Sequence, residues 1–255
     1  MQRAAKCLPS LQGPAAWNRI LPAPLRPQVL AEDLTADVTI IGAGFAGLSA
    51  ARRLTQIDAG LKVIVLDALP IAESSAGRNS GFMIDLPHEL TSEDYAGAGD
   101  DKSLIALNRQ AIHFAREAVD EYQIDANYFD PAGKVNGAAS VKAAAHNKSY
   151  AQHLASLGED YELLDQRQMR ELTGSRHYLG GLYTPGTVML QPAGYVRDLA
   201  TGLRRAGVSV FEESPVTSFS KQDSGWLVAT PGGKVSTGKI ILTINGHLES
   251  FGYEI

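Results

Sequence analysis

Cysteine is almost absent. Cys7 is the only one in 255 residues, so neither an internal disulfide nor a cysteine-rich metal site can form within the chain. That usage fits a reducing compartment, and a cytoplasmic location is the expectation. Long hydrophobic runs are missing as well: no apolar stretch reaches the roughly 18 residues of a membrane-spanning helix, so no transmembrane segment is expected. Charge of one sign is not in excess. A net charge of −5 and a pI near 5.7 supply no basic surface for nucleic acid or an anionic membrane. His146 and His153 stand at no metal-ligand spacing to a further ligand and read as surface residues, so no metal is expected. Acidic residues are lacking before Glu32, a segment that holds Arg3, Lys6, Arg19 and Arg26. It also holds five prolines and no apolar core, which argues against a targeting peptide. Residues 1–36 therefore read as an extended arm lying over a domain, with Trp17 as its anchor.

What is present is a strand, a glycine turn and a helix in the stretch VTIIGAGFAGLSAARRL, Val38 to Leu54. Gly42, Gly44 and Gly47 form G-x-G-x-x-G, with Ala43, Phe45 and Ala46 between them. Leu48, Ala51 and Leu54 mark the helix's inner face, and Gly60 closes it. A second apolar strand, LKVIVLDA, ends in Asp67, 20 residues after Gly47. Each part has a physical task in holding a dinucleotide. The first glycine permits the tight turn, the second lets backbone approach a pyrophosphate, and the third allows close helix–sheet contact. The helix start attracts the phosphate charge. Asp67 is suited to accept hydrogen bonds from ribose hydroxyls and to repel a 2′-phosphate, which argues against NADP.

After Asp67 the regular strand–helix alternation stops, and a Gly/Ser-rich loop runs to Phe82. Helical spacing then predicts a helix over Asp101–Tyr122 with Asp101 as its cap. A strand is expected in KVNGAASV, a helix closed by Gly158, and a short helix between Asp165 and Gly174. Another helix opens at Pro192 and buries Tyr195, Leu199 and Leu203. The strands VSVFE, PVTSF and GWLVAT follow, then a PGG turn, then KVS and KIILTING. The expected fold class is α/β: a Rossmann-like dinucleotide-binding domain, a parallel sheet plus a β-meander, with an inserted α+β domain. The first comprises residues 37–85 and 206–255, and the second 86–205.

The segments IIGAGFAGLSAARRL, VIVLDA, SSAGRNSGF, ESPVTSF and LTINGH together resemble the D-amino-acid oxidase-like FAD oxidoreductases. The branch resembled includes gamma-glutamylputrescine oxidoreductase, glycine oxidase and sarcosine oxidase. The resemblance covers Asp37 to Tyr253. It implies that Gly42, Gly44 and Gly47 carry the pyrophosphate turn, that Asp67 meets the FAD ribose, and that Gly77, Arg78, Asn79, Ser80 and Gly81 form the loop beneath pyrophosphate and flavin. Val216 takes the position whose backbone meets the adenine, and Asn245-Gly246 the turn after the last nucleotide strand. Some relatives attach FAD through a histidine where this chain has Ser74, Ser75 and Ala76, so the FAD is expected to be non-covalent.

The implied reaction is hydride removal from the carbon beside the nitrogen of an amine or amino acid, giving an imine that water hydrolyses. Oxygen or another electron acceptor then reoxidises the cofactor. A neutral amine needs no separate base, and no strong acid–base pair is evident; Arg78 and His88 are the only polar candidates for a catalytic role, His88 reading rather as a loop contact. A disulfide reductase would need a redox cysteine pair, and the GRNSG loop disfavours a flavin hydroxylase. A non-catalytic or partner-dependent flavin-binding fragment is the alternative from another class. Relatives of this branch continue past NGHLESFGY with the rest of the substrate sheet, so the substrate domain is expected to be incomplete and apolar faces to be left open. Residues 1–255 alone are expected to bind FAD weakly and either to self-associate or to need a second chain. Gel filtration with flavin absorbance checks this, and a monomer that keeps stoichiometric flavin and oxidises an amine contradicts it.

Overall fold

The computed structural model describes residues 2–11, 13–87 and 101–254. In chain order, strand β1 (Gln2–Ala4) and the one-turn helix α1 (Ala16–Arg19) lie in the N-terminal segment. Then come β2 (Leu34–Ile41), α2 (Phe45–Ile57), β3 (Val63–Leu66), β4 (Phe82–Met83) and α3 (Asp101–Tyr122). They are followed by β5 (Phe129–Asp130), β6 (Lys134–Ala138), α4 (Val141–Leu157), β7 (Glu162–Leu164), α5 (Gln166–Thr173), β8 (Gly180–Thr184) and β9 (Val188–Leu190). The last elements are α6 (Pro192–Arg205), β10 (Ser209–Phe211), β11 (Ser218–Gln222), β12 (Gly225–Thr230) and β13 (Gly233–Leu242).

Contacts divide the chain into two compact units. The first holds the residues up to Ser80, Ala118–Tyr128 and those from Gln191 onward; the second holds Gly81–Glu117 and Phe129–Leu190. The borders expected near residues 85 and 206 thus lie at 80/81 and 190/191. The reason is α6, whose buried Tyr195, Leu199 and Leu203 pack within the first unit. There Phe45 of α2 stacks on Tyr195 at 6.2 Å between ring centroids, and Gly194 and Gly202 give room to the rings of Tyr128 and Tyr122.

The first unit is built on a seven-stranded sheet in the order β1-β11-β12-β13-β2-β3-β10. The pairs β13–β2, β2–β3 and β3–β10 are parallel, and β13–β12, β12–β11 and β11–β1 are antiparallel, so a parallel nucleotide-type half runs directly into a meander. Val38 to Ile41 and Val63 to Leu66 are all buried, as befits central parallel strands covered on both faces. β13 is one strand of ten residues rather than two short ones, its pairing with β2 running from Val235↔Leu34 to Leu242↔Ile41 on both sides of Gly238. β11 begins at Ser218, not at Pro215. Proline has no N–H for the ladder, and the residues before Ser218 are left to wall a cavity.

The N-terminal arm is more than an extended cover. Its residues Gln2–Ala4 add an edge strand to the sheet through the register Gln2↔Ser220, Arg3↔Phe219 and Ala4↔Ser218. Trp17 does anchor the arm: its Nε1 donates to Asn79 O at 2.8 Å, and its own carbonyl accepts from Gln191 Nε2 at 3.0 Å.

The second unit holds two three-stranded sheets, β4-β9-β5 and β6-β8-β7, with an apolar cluster that includes Leu86, Ile105, Tyr150, Leu154 and Leu182. Ser140 ends β6's run early and caps α4 by accepting from Ala143 N at 3.1 Å, and Gly158 closes that helix in the left-handed region. Asp165 and Gln168 form a capping box on α5. Asp101 is the first described residue of α3, and its carboxylate lies 2.8 Å from His153 Nε2. Both side chains are only 15 % exposed, so His153 is not a surface residue. His146 is half-buried.

The close backbone contact inside the glycine turn yields a stability prediction. A Cβ on Gly47 would lie 1.9 Å from Gly42 O, whereas one on Gly246 would meet nothing within 4 Å. Gly47→Ala is expected to lower unfolding stability by about 1–3 kcal/mol or more through overpacking. Gly246→Ala is expected to stay within about 0.5 kcal/mol of the parent, as an uncrowded surface change does. Urea unfolding of both variants checks the contrast.

Candidate functional site

At the end of β2 the chain enters the glycine turn and leaves it as α2. Gly42 has φ +106° and a missing Cβ that would come 2.7 Å from Thr243 O, so both its conformation and its surroundings demand glycine. Gly47 is required by its contact with Gly42 O. Gly44 differs from both. A Cβ there would meet only Ala76 Cβ at an ordinary 3.6 Å, so the fold itself does not require glycine at that position. Gly44 is the N-cap of α2 and offers no side chain to the helix's first N–H groups, and no acid sits in the first turn. The positive end of a 13-residue helix is thus left for a ligand's anion. Of the remaining turn residues, Ala43 is buried and Ala46 exposed.

Asp67 follows the last residue of β3. Its Oδ2 accepts from Ala43 N at 2.7 Å and its Oδ1 from Leu69 N at 2.9 Å, so the carboxylate braces the glycine turn from the neighbouring strand. Burial pushes its pKa above the ordinary carboxylate value and the nearby Glu212 carboxylate adds to this, against the lowering effect of the backbone donors. With three backbone donors on about four lone-pair sites, the carboxylate keeps acceptor capacity for a ligand hydroxyl. Glu212 is itself held by Ile71 N at 2.7 Å and by Arg204 Nη2 at 2.7 Å.

These groups open onto a cavity of about 430 Å³. Of the residues anticipated from the sequence, Gly42, Gly44, Asp67, Val216, Asn245 and Gly246 line it together. Val216 reaches it from the segment between β10 and β11, and Asn245, at φ +49°, opens the short helical turn Asn245–Phe251 after β13. Ser74 and Ser75 line it too. Sequence reasoning passed over Thr243, whose Oγ1 lies 2.9 Å from Ile41 O and 3.0 Å from Gly42 O and so ties the end of β13 to the turn. It also passed over Cys7, Leu8 and Pro9 of the arm, together with Ser250 and Phe251, which complete the wall. Thr243 stands inside the motif LTING, but no local signal links residues 7–9 to this place.

The loop expected beneath the cofactor is divided. Gly77 is buried at the end of the short turn Ser75–Gly77, where a Cβ would lie 1.8 Å from Ala72 O. Arg78 directs Nε to Glu73 O at 2.9 Å and Nη2 to Gly13 O, with the Glu73 carboxylate 3.8 Å away. Asn79 Nδ2 donates to Ala76 O at 2.7 Å. These donors pin the loop and the arm rather than pointing into the 430 Å³ cavity, although Arg78 lines a second one beside it with Glu73, Ser75 and His247. Ser80 is exposed at the end of the first unit. Gly81 opens the second unit with φ +83°, its carbonyl accepting from Leu190 N at 2.7 Å. His88 lies outside the described residues. No described helix is long and apolar enough to cross a membrane.

Known proteins share these features. The FAD dependent oxidoreductase family, DAO, matches residues 37–253. The probable oxidoreductase OrdL of Haemophilus influenzae is 28% identical over 223 residues, covering 84% of this chain and 50% of its own length. Gamma-glutamylputrescine oxidoreductase of Escherichia coli is 28% identical over 223 residues, covering 86% of this chain and 51% of its own. The chain thus spans about half the length of these curated relatives. Among solved structures, glycine oxidase from Geobacillus kaustophilus superposes with a TM-score of 0.71 at 18% identity over 86% of this chain and 58% of that one, which shows a common fold. The family match runs from the strand before the glycine turn to Tyr253, and the chain belongs to the DAO family of FAD-dependent oxidoreductases.

Proposed function

We propose that this chain contributes the FAD-binding part of an oxidoreductase that removes hydride from the carbon next to the nitrogen of an amine or amino acid, leaving an imine for water to hydrolyse. The reading rests on one observation: Gly42, Gly44, Asp67, Val216 and Asn245-Gly246, from separate stretches of sequence, converge on one cavity. The amino-compound class is supported by the names of relatives, gamma-glutamylputrescine oxidoreductase and glycine oxidase. When bound, FAD supplies the hydride acceptor, with oxygen or another electron acceptor closing the cycle.

The chain's own residues bind and orient. The uncapped start of α2 neutralises a pyrophosphate, and Gly44 leaves the space for it. Asp67 would accept from ribose hydroxyls while bracing Ala43 N, and the Val216 backbone would meet the adenine, as the family resemblance implies. Ser74, Ser75 and Ala76 offer no histidine for attachment at that point, which supports a non-covalent cofactor. The guanidinium of Arg78 keeps the Gly77–Gly81 loop and the arm in place. The visible spectrum of the purified protein, followed by anaerobic bleaching with a panel of polyamines, N-methyl amino acids and D-amino acids, tests the whole reading. Flavin that no amino compound reduces counts against the reaction.

Three measurements test the site. Asp67→Ala is expected to weaken flavin binding by roughly 1.5–3 kcal/mol, the scale of hydrogen bonds to a charged acceptor, in equilibrium dialysis. Gly44→Val is expected to abolish flavin uptake while the variant still unfolds cooperatively in urea, with at most the roughly 1 kcal/mol loss of a poorer N-cap, since only Ala76 stands near its Cβ; a fully flavinated variant sinks the phosphate-turn reading. Because the Asp67 pKa is raised before the ligand arrives and the ionised form is the better acceptor, flavin affinity should fall on acidification, starting above the ordinary carboxylate value of 3.8. Asp67→Asn should remove that dependence, which dialysis at stepped pH reads directly.

A further inference from the structure

The N-terminal segment reaches the cofactor cavity and is fastened to two of its walls. Through β1 it pairs with β11, and Ala5 N donates to Thr217 O at 2.8 Å, directly beside the Val216 wall. It is also laced to the turn that begins with Asn245 and Gly246. Lys6 N donates to Ser250 O at 3.0 Å, Cys7 N to Ser250 Oγ at 3.0 Å, and Ser250 Oγ to Cys7 O at 2.7 Å. Arg3 Nη1 donates to Phe251 O at 3.1 Å and Gly252 O at 2.6 Å, and its guanidinium lies 4.3 Å from the Tyr253 ring centre. Beyond these ties Cys7, Leu8 and Pro9 form part of the cavity wall itself.

From this we infer that residues 2–9 are a clasp over the adenosine side of the cavity, one that the bound nucleotide tightens and that slows the nucleotide's escape. The inference rests on the FAD reading of that cavity. Its placement follows from the lining: Asp67 and Val216, the groups suited to ribose and adenine, share the cavity with Leu8 and Pro9, whose apolar surface suits the flat base. The clasp is held by a three-residue edge strand and a handful of backbone bonds, so it opens far more easily than the sheet beneath it. Contact between nucleotide and clasp then couples the two in both directions: occupancy steadies the clasp, and a fastened clasp raises affinity.

Cys7 provides the measurement, being exposed and the only thiol in the chain. Its reaction with a disulfide reagent is followed in the full chain, free and saturated with FAD or with ADP, occupancy being read separately by dialysis. Occupancy is expected to slow the reaction by at least about fivefold, the lower end of common coupling strengths. Ser250→Ala removes the hydroxyl that bridges Cys7 N and O and leaves Asn245 and Gly246, at the other end of the same turn, in place. It should speed thiol reaction in the free protein and raise the rate of flavin release by about the same factor. Deletion of residues 2–9 should raise the release rate further. If FAD or ADP binds but leaves Cys7 reactivity unchanged, or if Ser250→Ala leaves flavin release unchanged, the clasp is refuted while the cofactor reading stands. If neither nucleotide binds at any concentration, the cofactor reading itself is overturned and the clasp with it.

Discussion

Two absent side chains, at Gly42 and Gly47, are the constraint on which the first unit depends. The carbonyl of Gly42 sits where a Cβ of Gly47 would stand, and Thr243 sits where a Cβ of Gly42 would stand. Only with both vacant can β2, α2 and the end of β13 meet at one point. That meeting directs the start of α2 at the cavity, sets Asp67 against Ala43 N from the adjacent strand, and brings Asn245 and Gly246 to the opposite wall. Gly44 stands apart because nothing in the protein crowds it. Two of the three motif glycines therefore answer to folding, and the third does not.

What could be read from the sequence was what local pattern specifies. The run Val38–Ile41, the turn, the helix and Asp67 form a contiguous unit whose periodicity and spacing carry their own meaning, and the long helices announce themselves by apolar period and caps. The unread parts depend on partners far along the chain. Gln2–Ala4 has no apolar pattern and becomes a strand only because β11 presents an open edge. β7, β8 and β9 are only three to five residues long, and Gly180, Gly181 and Gly186 interrupt the pattern around the last two, so neither alternation nor length marks them. Asp101 and His153 meet across 52 positions. For the same reason the turn residues of the site were foreseeable, whereas Cys7, Leu8, Pro9 and Ser250 in its wall were not.

The second unit keeps a polar group at its centre. Asp85 is fully buried, and Arg109 reaches it with Nε at 3.2 Å and Nη2 at 3.1 Å while also engaging Glu159. Gly186 makes room for it, since a Cβ there would lie 1.9 Å from Asp85 Oδ2. Burial lowers the pKa of Lys134, with the Asp85 charge acting in the opposite sense. A buried carboxylate of this kind repays its desolvation only when its partners are in place, so it favours one arrangement of β4, α3 and the β8–β9 connection over near alternatives.

The hydroxyl contact between Thr243 and Gly42 spans 201 positions, and the β2–β13 ladder beside it is equally long-range. On a ribosome adding about 5–20 residues per second, the glycine turn therefore waits roughly 10–40 s after its own synthesis before the strand that completes it exists. Through that interval the apolar edge of β2, Val38 to Ile41, has no β13 to pair with and is open to other strands. A turn written early is thus completed late, and the open strand edge of the nascent chain lies just where the 430 Å³ cavity will form.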